Sequence, residues 1–146
     1  MAESHWHKKV RLETFEKIRP NAYSSHSEIS KLELFRGEAK RPNCLSDADI
    51  VVFDPDSNKI KEIIEIETAL NPKKIIGIVL ATHLCNLCRI KGENHLLKDI
   101  SLKIIYKKAK RGSKKDLKKD IFEKPLRDIL NKYEGSISEF IFEGHD

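Results

Sequence analysis

The chain has only three cysteines and no long apolar run. These two features argue against a disulfide-rich secreted protein and against a membrane-spanning protein. Its three cysteines are an odd number, which argues against the disulfide framework of a small secreted domain. No apolar run approaches the ~18 residues that a membrane helix needs. The polar, charged stretch from Met1 to Pro20 predicts no signal peptide. We therefore expect a cytoplasmic protein with no membrane partner.

The composition is that of one ordinary globular domain. Hydrophobic residues make up 39% of the 146 residues, which is enough for a normal core at this length. We expect a single domain over residues 1–146. Within it, residues 1–26 are predicted to form an N-terminal helical extension and residues 27–146 the core.

Hydrophobic periodicity and turn residues predict helices that alternate with strands. Helices are expected over residues 6–18, 27–35, 71–92 and 117–133. Strands are expected over residues 49–54, 59–68, 100–106 and 137–142. Pro125 implies a kink or a break in the last helix. This order of elements favours an α/β sandwich with a mixed central β-sheet flanked by helices.

Acidic residues lie in two of these strands, where a buried strand normally carries none. Asp49 opens one strand, and Glu65 and Glu67 share one face of the next because alternate residues point the same way. Antiparallel pairing of the two strands would bring the three carboxylates together. They would repel one another unless a cation lay between them, so the trio predicts a site for a hard divalent ion. A polar strand end beside a turn is the alternative interpretation of Asp49.

This arrangement of acids resembles the PD-(D/E)xK nuclease superfamily, which has the restriction-endonuclease-like fold. Asp49 matches the acid that opens the first motif strand, and Glu65 matches the acid of the acid-x-Lys motif on the next strand. Glu67 stands at the usual lysine position, as in the Glu-x-Glu variant of a minority of restriction enzymes, and Ala48 replaces the usual proline. The resemblance extends from Glu28 to the C-terminus. It implies a metal-dependent endonuclease that hydrolyses DNA phosphodiester bonds.

The resemblance also implies a metal and roles for individual residues. Asp49, Glu65 and the backbone carbonyl of Ile66 would hold Mg²⁺ or Mn²⁺. Glu67 would be a further ligand or would orient the attacking water. The products would carry 5′-phosphate and 3′-hydroxyl ends.

Other residues are secondary candidates for the same site. They are Glu28, Asp47, Asp54, Lys73 and Lys74. Glu28 lies on a predicted helix where related nucleases often carry another acid. Lys73 or Lys74, at the start of a helix, would replace the missing motif lysine and stabilise charge on the phosphate. The alternative interpretation of Glu28, Lys73 and Lys74 is that they lie on ordinary solvated helix faces.

Two basic segments predict contact with phosphate groups. The first precedes the acidic strands and contains Arg36, Lys40 and Arg41. The second, over residues 107–119, contains Lys107, Lys108, Lys110, Arg111, Lys114 and Lys115. Because Lys and Arg neutralise phosphates without reading sequence, DNA is the expected partner, and a solubilising surface is the alternative. A two-fold homodimer would suit cleavage of a duplex.

Two other functions compete with the nuclease hypothesis. A non-catalytic nucleic-acid-binding or interaction module with a degenerate nuclease fold is favoured by the missing motif lysine. A zinc-stabilised interaction protein is the third hypothesis, because Cys85 and Cys88 have the two-residue gap of metal sites and His83 lies close by. Buried structural cysteine is the preferred interpretation, since both thiols fall on apolar positions of a predicted helix. His83 is expected to be a core or surface histidine.

Overall fold

A mixed sheet, a smaller antiparallel sheet and helices packed on them make up the described part of the protein. The computed structural model describes residues 3–25, 31–109 and 118–146. Along the chain its elements are α1 (His5–Ile18), β1 (Ala22–Ser24), β2 (Leu32–Phe35), a 3₁₀ turn (Arg41–Asn43), β3 (Cys44–Ala48), β4 (Ile50–Phe53), β5 (Ile60–Glu67), α2 (Pro72–Leu84), β6 (Leu87–Ile90), β7 (Glu93–Leu96), β8 (Ile100–Lys107), α3 (Lys118–Lys132) and β9 (Ile137–His145).

The main sheet has five strands in the order β1-β4-β5-β8-β9. Strand β4 pairs antiparallel with β1 and β5, whereas β8 pairs parallel with β5 and β9. The prediction of an α/β protein with a mixed sheet is therefore confirmed, and so is the antiparallel pairing of the two strands that carry the acids. Strand β4 is buried along its whole length, as its apolar residues on both faces predict.

The second sheet, in the order β3-β2-β6-β7, is antiparallel throughout, and the sequence patterns do not predict it. In β2, Leu32 and Leu34 are fully buried and Glu33 between them is not, which is the period of a strand. The helix predicted over residues 27–35 is therefore wrong for residues 32–35. Residues 27–30 lie outside the described part of the chain.

Helix α2 begins as predicted but ends early. The side chain of Asn71 caps it by accepting a hydrogen bond from a backbone N–H in the first turn, at 3.3 Å. The helix ends at Leu84, so its predicted continuation to Gly92 is wrong. Strands β6 and β7 form a hairpin instead, and its two turn residues have positive φ, 51° at Lys91 and 79° at Gly92. This is the turn geometry that suits the twist of paired strands.

The other predicted elements are confirmed with small differences in length. Helix α1 and strands β5 and β8 lie where the sequence predicts them. Helix α3 continues through Pro125 without a break, and β9 extends to His145 rather than ending at Phe142. None of the described helices has the length and apolar character needed to cross a membrane.

The two faces of the main sheet pack into two separate cores. Val51 and Ile63 point toward α2, α3 and the second sheet. Ile50 and Ile64 point the other way, toward Val10 of α1. Neighbouring residues of β4 and β5 therefore enter different cores, as the alternation of side chains along a strand requires. Helix α1, predicted to be an N-terminal extension, covers one face of the main sheet.

The cysteines of the predicted CxxC pair are buried free thiols. Burial raises the pKa of Cys85 to about 11 and that of Cys88 to about 12. Both are therefore protonated at neutral pH and behave as small hydrophobic residues. Their interpretation as buried residues is confirmed. Their predicted place in a helix is wrong, because the chain leaves α2 before them.

His83 connects α2 to the turn before β9. Its Nε2 lies 2.7 Å from the carbonyl oxygen of Tyr133, and its Nδ1 accepts a hydrogen bond from the N–H of Ile137 at 3.2 Å. Its backbone carbonyl accepts from the N–H of Ser136 at 3.0 Å. His83 is buried, so it is a core histidine whose two ring nitrogens fix the packing of this turn.

We predict that Gly135→Ala lowers the free energy of unfolding by about 1–3 kcal/mol. A Cβ at Gly135 would collide with the carbonyl oxygen and the ring of His83, and neither group can move easily. Gly77→Ala in α2 is the control, because nothing lies within 4 Å of a Cβ there, and alanine should stabilise that helix by up to about 1 kcal/mol. Urea unfolding measures both. Equal stability of Gly135→Ala and the wild type would contradict the tight packing of this turn.

Candidate functional site

Asp49 lies between β3 and β4 and is held by the neighbouring strand. Its Oδ2 accepts a hydrogen bond from the backbone N–H of Ile66, with an N···O distance of 2.7 Å. Because β4 and β5 are antiparallel, the start of β4 lies beside the end of β5. This is the juxtaposition that the sequence predicts for Asp49 and the two glutamates.

Glu65 and Glu67 lie on the same face of β5 as Ile63, which is the face toward α2. Each is 5% exposed. Glu65 Oε1 is buried and has no hydrogen-bond partner in the part of the chain that the structure describes. A buried polar atom without a partner costs free energy, so it requires a physical explanation.

Burial and mutual repulsion change the protonation of both glutamates. Burial raises the pKa of Glu65 well above its ordinary value, and the carboxylates of Asp49 and Glu67 raise it further. Burial also raises the pKa of Glu67, although the ammonium group of Lys74 opposes this effect. These effects shift the equilibrium of the Glu65 carboxyl toward its protonated form, and a bound cation would shift it back toward the ionised form.

Helix α2 brings one lysine to this cluster. Lys74 Nζ lies 2.9 Å from Glu67 Oε2, although the lysine side chain is 62% exposed. The hydrogen bond with Glu67 raises the pKa of Lys74. Lys73 is exposed, and Lys74 but not Lys73 lines the cleft that contains the acids. Of the two lysines predicted near the site, the structure places Lys74 against the acids.

Helix α1 brings an imidazole to the acids, which the sequence patterns do not identify. His7 Nε2 lies 3.3 Å from Asp49 Oδ1. His7 Nδ1 lies 2.5 Å from Glu3 Oε2. The buried Arg11 in turn donates to both oxygens of Glu3, at 2.7 Å and 3.0 Å, and to Ser24 Oγ at 2.9 Å. Arg11, Glu3, His7 and Asp49 thus form a chain in which basic and acidic groups alternate.

The protonation of this chain follows from its contacts. Hydrogen bonds from Arg11 hold the pKa of Glu3 at about 2. Burial alone lowers the pKa of His7, but the contacts with Asp49 and Glu3 outweigh burial and raise it overall. The spacing of four residues places His7 and Arg11 on one face of α1, and Glu3 lies one spacing of four before His7, just ahead of the N-cap Ser4. That spacing is the sequence signal that could have identified them.

The acids line a cleft at the end of β5, the middle strand of the main sheet. Its volume is about 510 Å³, and α1, β3, β5 and α2 contribute to its walls. The titratable residues that line it are Glu3, His7, Asp47, Asp49, Glu65, Glu67 and Lys74. Asp47 is exposed at the mouth of the cleft, whereas Glu65 lies at its buried end.

The donor atoms of the cleft fit a hard cation in chemical type but not in their present arrangement. Carboxylate oxygens are the ligands that Mg²⁺ and Mn²⁺ prefer, and the unpartnered Oε1 of Glu65 is one of them. Within residues 3–25, 31–109 and 118–146, however, no group of three or more His, Cys, Asp or Glu is arranged to hold a metal ion. Both oxygens of Asp49 already contact other groups, the N–H of Ile66 and the ring of His7.

Several predicted residues lie away from the cleft. Asp54 is at the opposite end of β4 from Asp49, and its Oδ1 accepts a hydrogen bond from the N–H of Asp56. Arg36, Lys40 and Arg41 lie beyond the Cys44 end of β3, one strand length or roughly 15 Å from Asp49. Their predicted contact with DNA stays a prediction, and the structure does not bring them to the acids.

The second basic segment begins at the same sheet edge as the acids. Glu67 pairs with Tyr106 across β5 and β8, and the exposed Lys107 and Lys108 follow directly. The remaining residues of that segment, Lys110, Arg111, Lys114 and Lys115, lie outside the described part of the chain, and so does Glu28.

Comparison with known proteins gives no relative that would assign this site. No protein-family model, no curated protein and no solved structure matches the chain. The chemistry of the cleft therefore has to be argued from its own residues.

We predict that Glu65 makes stability fall as the pH rises. Above its ordinary value of 4.5, Glu65 ionises in the unfolded chain but keeps its proton in the folded protein, so the folded state binds more protons. Without metal, the stability of the wild type relative to Glu65→Gln should fall as the pH rises above about 5, by up to about 1.4 kcal/mol per pH unit. Near pH 4 the two proteins should be almost equally stable. Urea unfolding in a chelating buffer measures the difference.

Glu13→Gln is the matched control, because Glu13 is exposed on α1. It should keep a constant stability difference from the wild type over the same pH range. Parallel pH curves for the wild type and Glu65→Gln would contradict the raised pKa of Glu65.

Proposed function

We propose that this protein is a cytoplasmic, metal-dependent endonuclease that hydrolyses DNA phosphodiester bonds. The observation that supports the proposal most directly is the buried carboxyl of Glu65. It lies beside Asp49 and Glu67 at the inner end of an open cleft, and its Oε1 has no partner within the described ranges of the chain. A structural role would favour an apolar residue at this point of a buried strand. A cation that binds in the cleft explains the acid.

The proposed fold is the restriction-endonuclease-like sandwich. The antiparallel pair β4–β5 is followed by α2 and by β8, which returns parallel to β5. This is the order of elements that the resemblance of the acidic motif implies. The second sheet and the covering helix α1 are additions to that order.

Asp49, Glu65 and the backbone carbonyl of Ile66 are the proposed holders of Mg²⁺ or Mn²⁺. When bound, such an ion would supply positive charge at the scissile phosphate and lower the pKa of a water molecule attached to it. Asp49 is pre-oriented for this role by the N–H of Ile66. Glu65 would have to lose its proton, and Glu67 would add a third carboxylate at the same strand end.

Lys74 is the proposed replacement for the motif lysine. Its ammonium group reaches the strand end from α2 and lies beside Glu67, the residue at the usual lysine position. An ammonium group there can stabilise negative charge that develops on a phosphate oxygen. Glu67 holds it in place and is available to accept a hydrogen bond from an attacking water.

The proposed DNA path runs across the ends of β5 and β8. Lys107 and Lys108 lie at the end of β8, next to the strand end that carries Glu67. Lys74 reaches the same strand end from α2. We propose that Lys107 and Lys108 neutralise the phosphates next to a bond in the cleft.

A non-catalytic DNA-binding module is the second candidate, and one observation favours it. His7 and Lys74 already contact Asp49 and Glu67, and the described residues contain no group of three arranged for a metal. In such a module the two cations would take the place of an ion permanently. The protein would then bind DNA in the presence or absence of a divalent ion and would cleave none.

We predict that Asp49→Asn and Glu65→Gln each lower the rate of DNA cleavage by roughly 100-fold or more, since each removes charge at the proposed ion. Cleavage of plasmid and branched DNA with Mg²⁺ and with Mn²⁺ is the measurement. Asp54→Asn is the control, because Asp54 lies at the other end of β4 and asparagine can accept the same local hydrogen bond. It should cleave like the wild type.

Three results are informative in this assay. Loss of activity only in the two cleft variants supports the endonuclease. Full activity in Asp49→Asn and Glu65→Gln overturns the assignment of the site. DNA binding without cleavage by the wild type on every substrate overturns the enzyme and leaves the binding module.

We also predict that reversing Lys107 and Lys108 to Glu weakens DNA binding at all sequences alike. The slope of log affinity against log salt should become shallower by roughly one unit per lost contact. The control reverses Lys59 and Lys61, which are exposed at the opposite end of β5 and change the net charge equally. Fluorescence anisotropy over a salt series measures both. An equal loss in the two double variants would contradict a local contact at this edge.

A further inference from the structure

We propose that His7 Nε2 is a nitrogen ligand of the same ion, so that the site prefers Mn²⁺ to Mg²⁺. The inference rests on the proposed function, because it adds a ligand to the proposed ion. It goes beyond the acidic motif in naming a residue of α1 and in predicting which metal the cleft selects.

The position of the ring supports this role. His7 Nε2 points into the cleft, 3.3 Å from Asp49 Oδ1, and the side chain is 15% exposed. Helix α1 is anchored to the main sheet by Val10, which is buried against β4 and β5. The ring therefore reaches the acids from a fixed element rather than from a loose terminus.

The other ring nitrogen has the partner that a metal-binding histidine normally has. Such histidines almost always donate their second N–H to a carboxylate or a carbonyl, which fixes the ring and directs the remaining nitrogen at the ion. His7 Nδ1 contacts Glu3 Oε2 at 2.5 Å. Glu3 is itself fixed by two hydrogen bonds from Arg11, which is only 3% exposed. Nδ1 is thereby committed to Glu3, and Nε2 is the atom that faces the cleft.

A second, independent observation points to a ligand in the same cleft. Glu65 is buried opposite Asp49, and its Oε1 has no hydrogen-bond partner among the described residues. The ring of His7 lies against Asp49 and Glu3 and leaves this oxygen without a partner among the described residues. An ion held by Glu65, Asp49 and His7 would satisfy this oxygen and replace the direct contact of the ring with Asp49.

A nitrogen donor changes the choice of metal. Oxygen-only sites suit Mg²⁺, whereas an imidazole ligand favours transition metals, and Mg²⁺ seldom accepts one. Two carboxylates and one imidazole should therefore bind Mn²⁺ more tightly than Mg²⁺.

If His7 has a purely structural role, the expected change in Mn²⁺ affinity on replacing it has the opposite sign. If the ring only neutralises Asp49, it competes with any incoming cation, and His7→Ala should tighten Mn²⁺ binding. If the ring is a ligand, His7→Ala should weaken Mn²⁺ binding by about tenfold or more, which is the least that loss of a supporting residue costs at such sites. The sign of the change separates the two roles.

The experiment is pulsed electron paramagnetic resonance of the full chain with Mn²⁺ alone. Wild-type protein should show modulation from a directly bound ¹⁴N, and labelling with ¹⁵N-histidine should replace it by the ¹⁵N pattern. This arm needs no variant and so does not depend on folding. His7→Ala should lose the modulation and bind Mn²⁺ more weakly. His5→Ala is the matched control, because His5 is exposed on the same helix, and it should behave as the wild type.

The outcomes separate this inference from the proposed function. Bound Mn²⁺ without nitrogen modulation, or with modulation that survives His7→Ala, overturns the role of His7 and leaves the carboxylate site intact. Unchanged or tighter Mn²⁺ binding by His7→Ala overturns it as well. No Mn²⁺ bound to the wild type overturns both the metal site and this inference.

Discussion

The rest of the site depends on one constraint, the carboxyl group of Glu65, which is buried near the end of β5. Glu65 shares this strand end with Glu67 and faces Asp49 on the next strand, and its Oε1 has no partner among the described residues. Two basic side chains lie close to it, but Lys74 contacts Glu67 and His7 contacts Asp49. Two of the three acids therefore have a basic side chain beside them. The third is left to a proton or to a ligand, because an isolated buried carboxylate is too costly.

His7 and Lys74 both reach the end of β5 because helices cover both faces of the main sheet. Helix α1 packs on one face and carries His7, and α2 packs on the other and carries Lys74. The walls of the cleft thus belong to rigid elements with their own cores. Its opening lies at the sheet edge, where the parallel strands β5, β8 and β9 end. Polar groups at the carboxyl ends of parallel strands are the usual place for ligands in α/β proteins.

Local patterns predict the parts of this site that depend on neighbouring residues. The alternation that places Glu65 and Glu67 on one face, and the cap at Asn71 that starts α2, are both correct in the structure. The second sheet and the contact of His7 with Asp49 depend on residues far apart in the sequence. A short apolar segment such as residues 32–35 fits a helix or a strand equally well. Only its pairing with β3 and β6 decides between them.

An enzyme and a degenerate module would differ in how easily Lys74 and His7 move away from the acids when an ion enters the cleft. Lys74 is 62% exposed and has a flexible stem, so its ammonium group can leave Glu67 for solvent or for a phosphate at little cost. His7 is 15% exposed and is tied through Glu3 to the buried Arg11, so its ring has no comparable alternative position. An ion can therefore displace the lysine but must accommodate the imidazole. Under the proposed function, the contacts that hold the His7 ring, as well as the acids, would therefore decide which ion the cleft accepts.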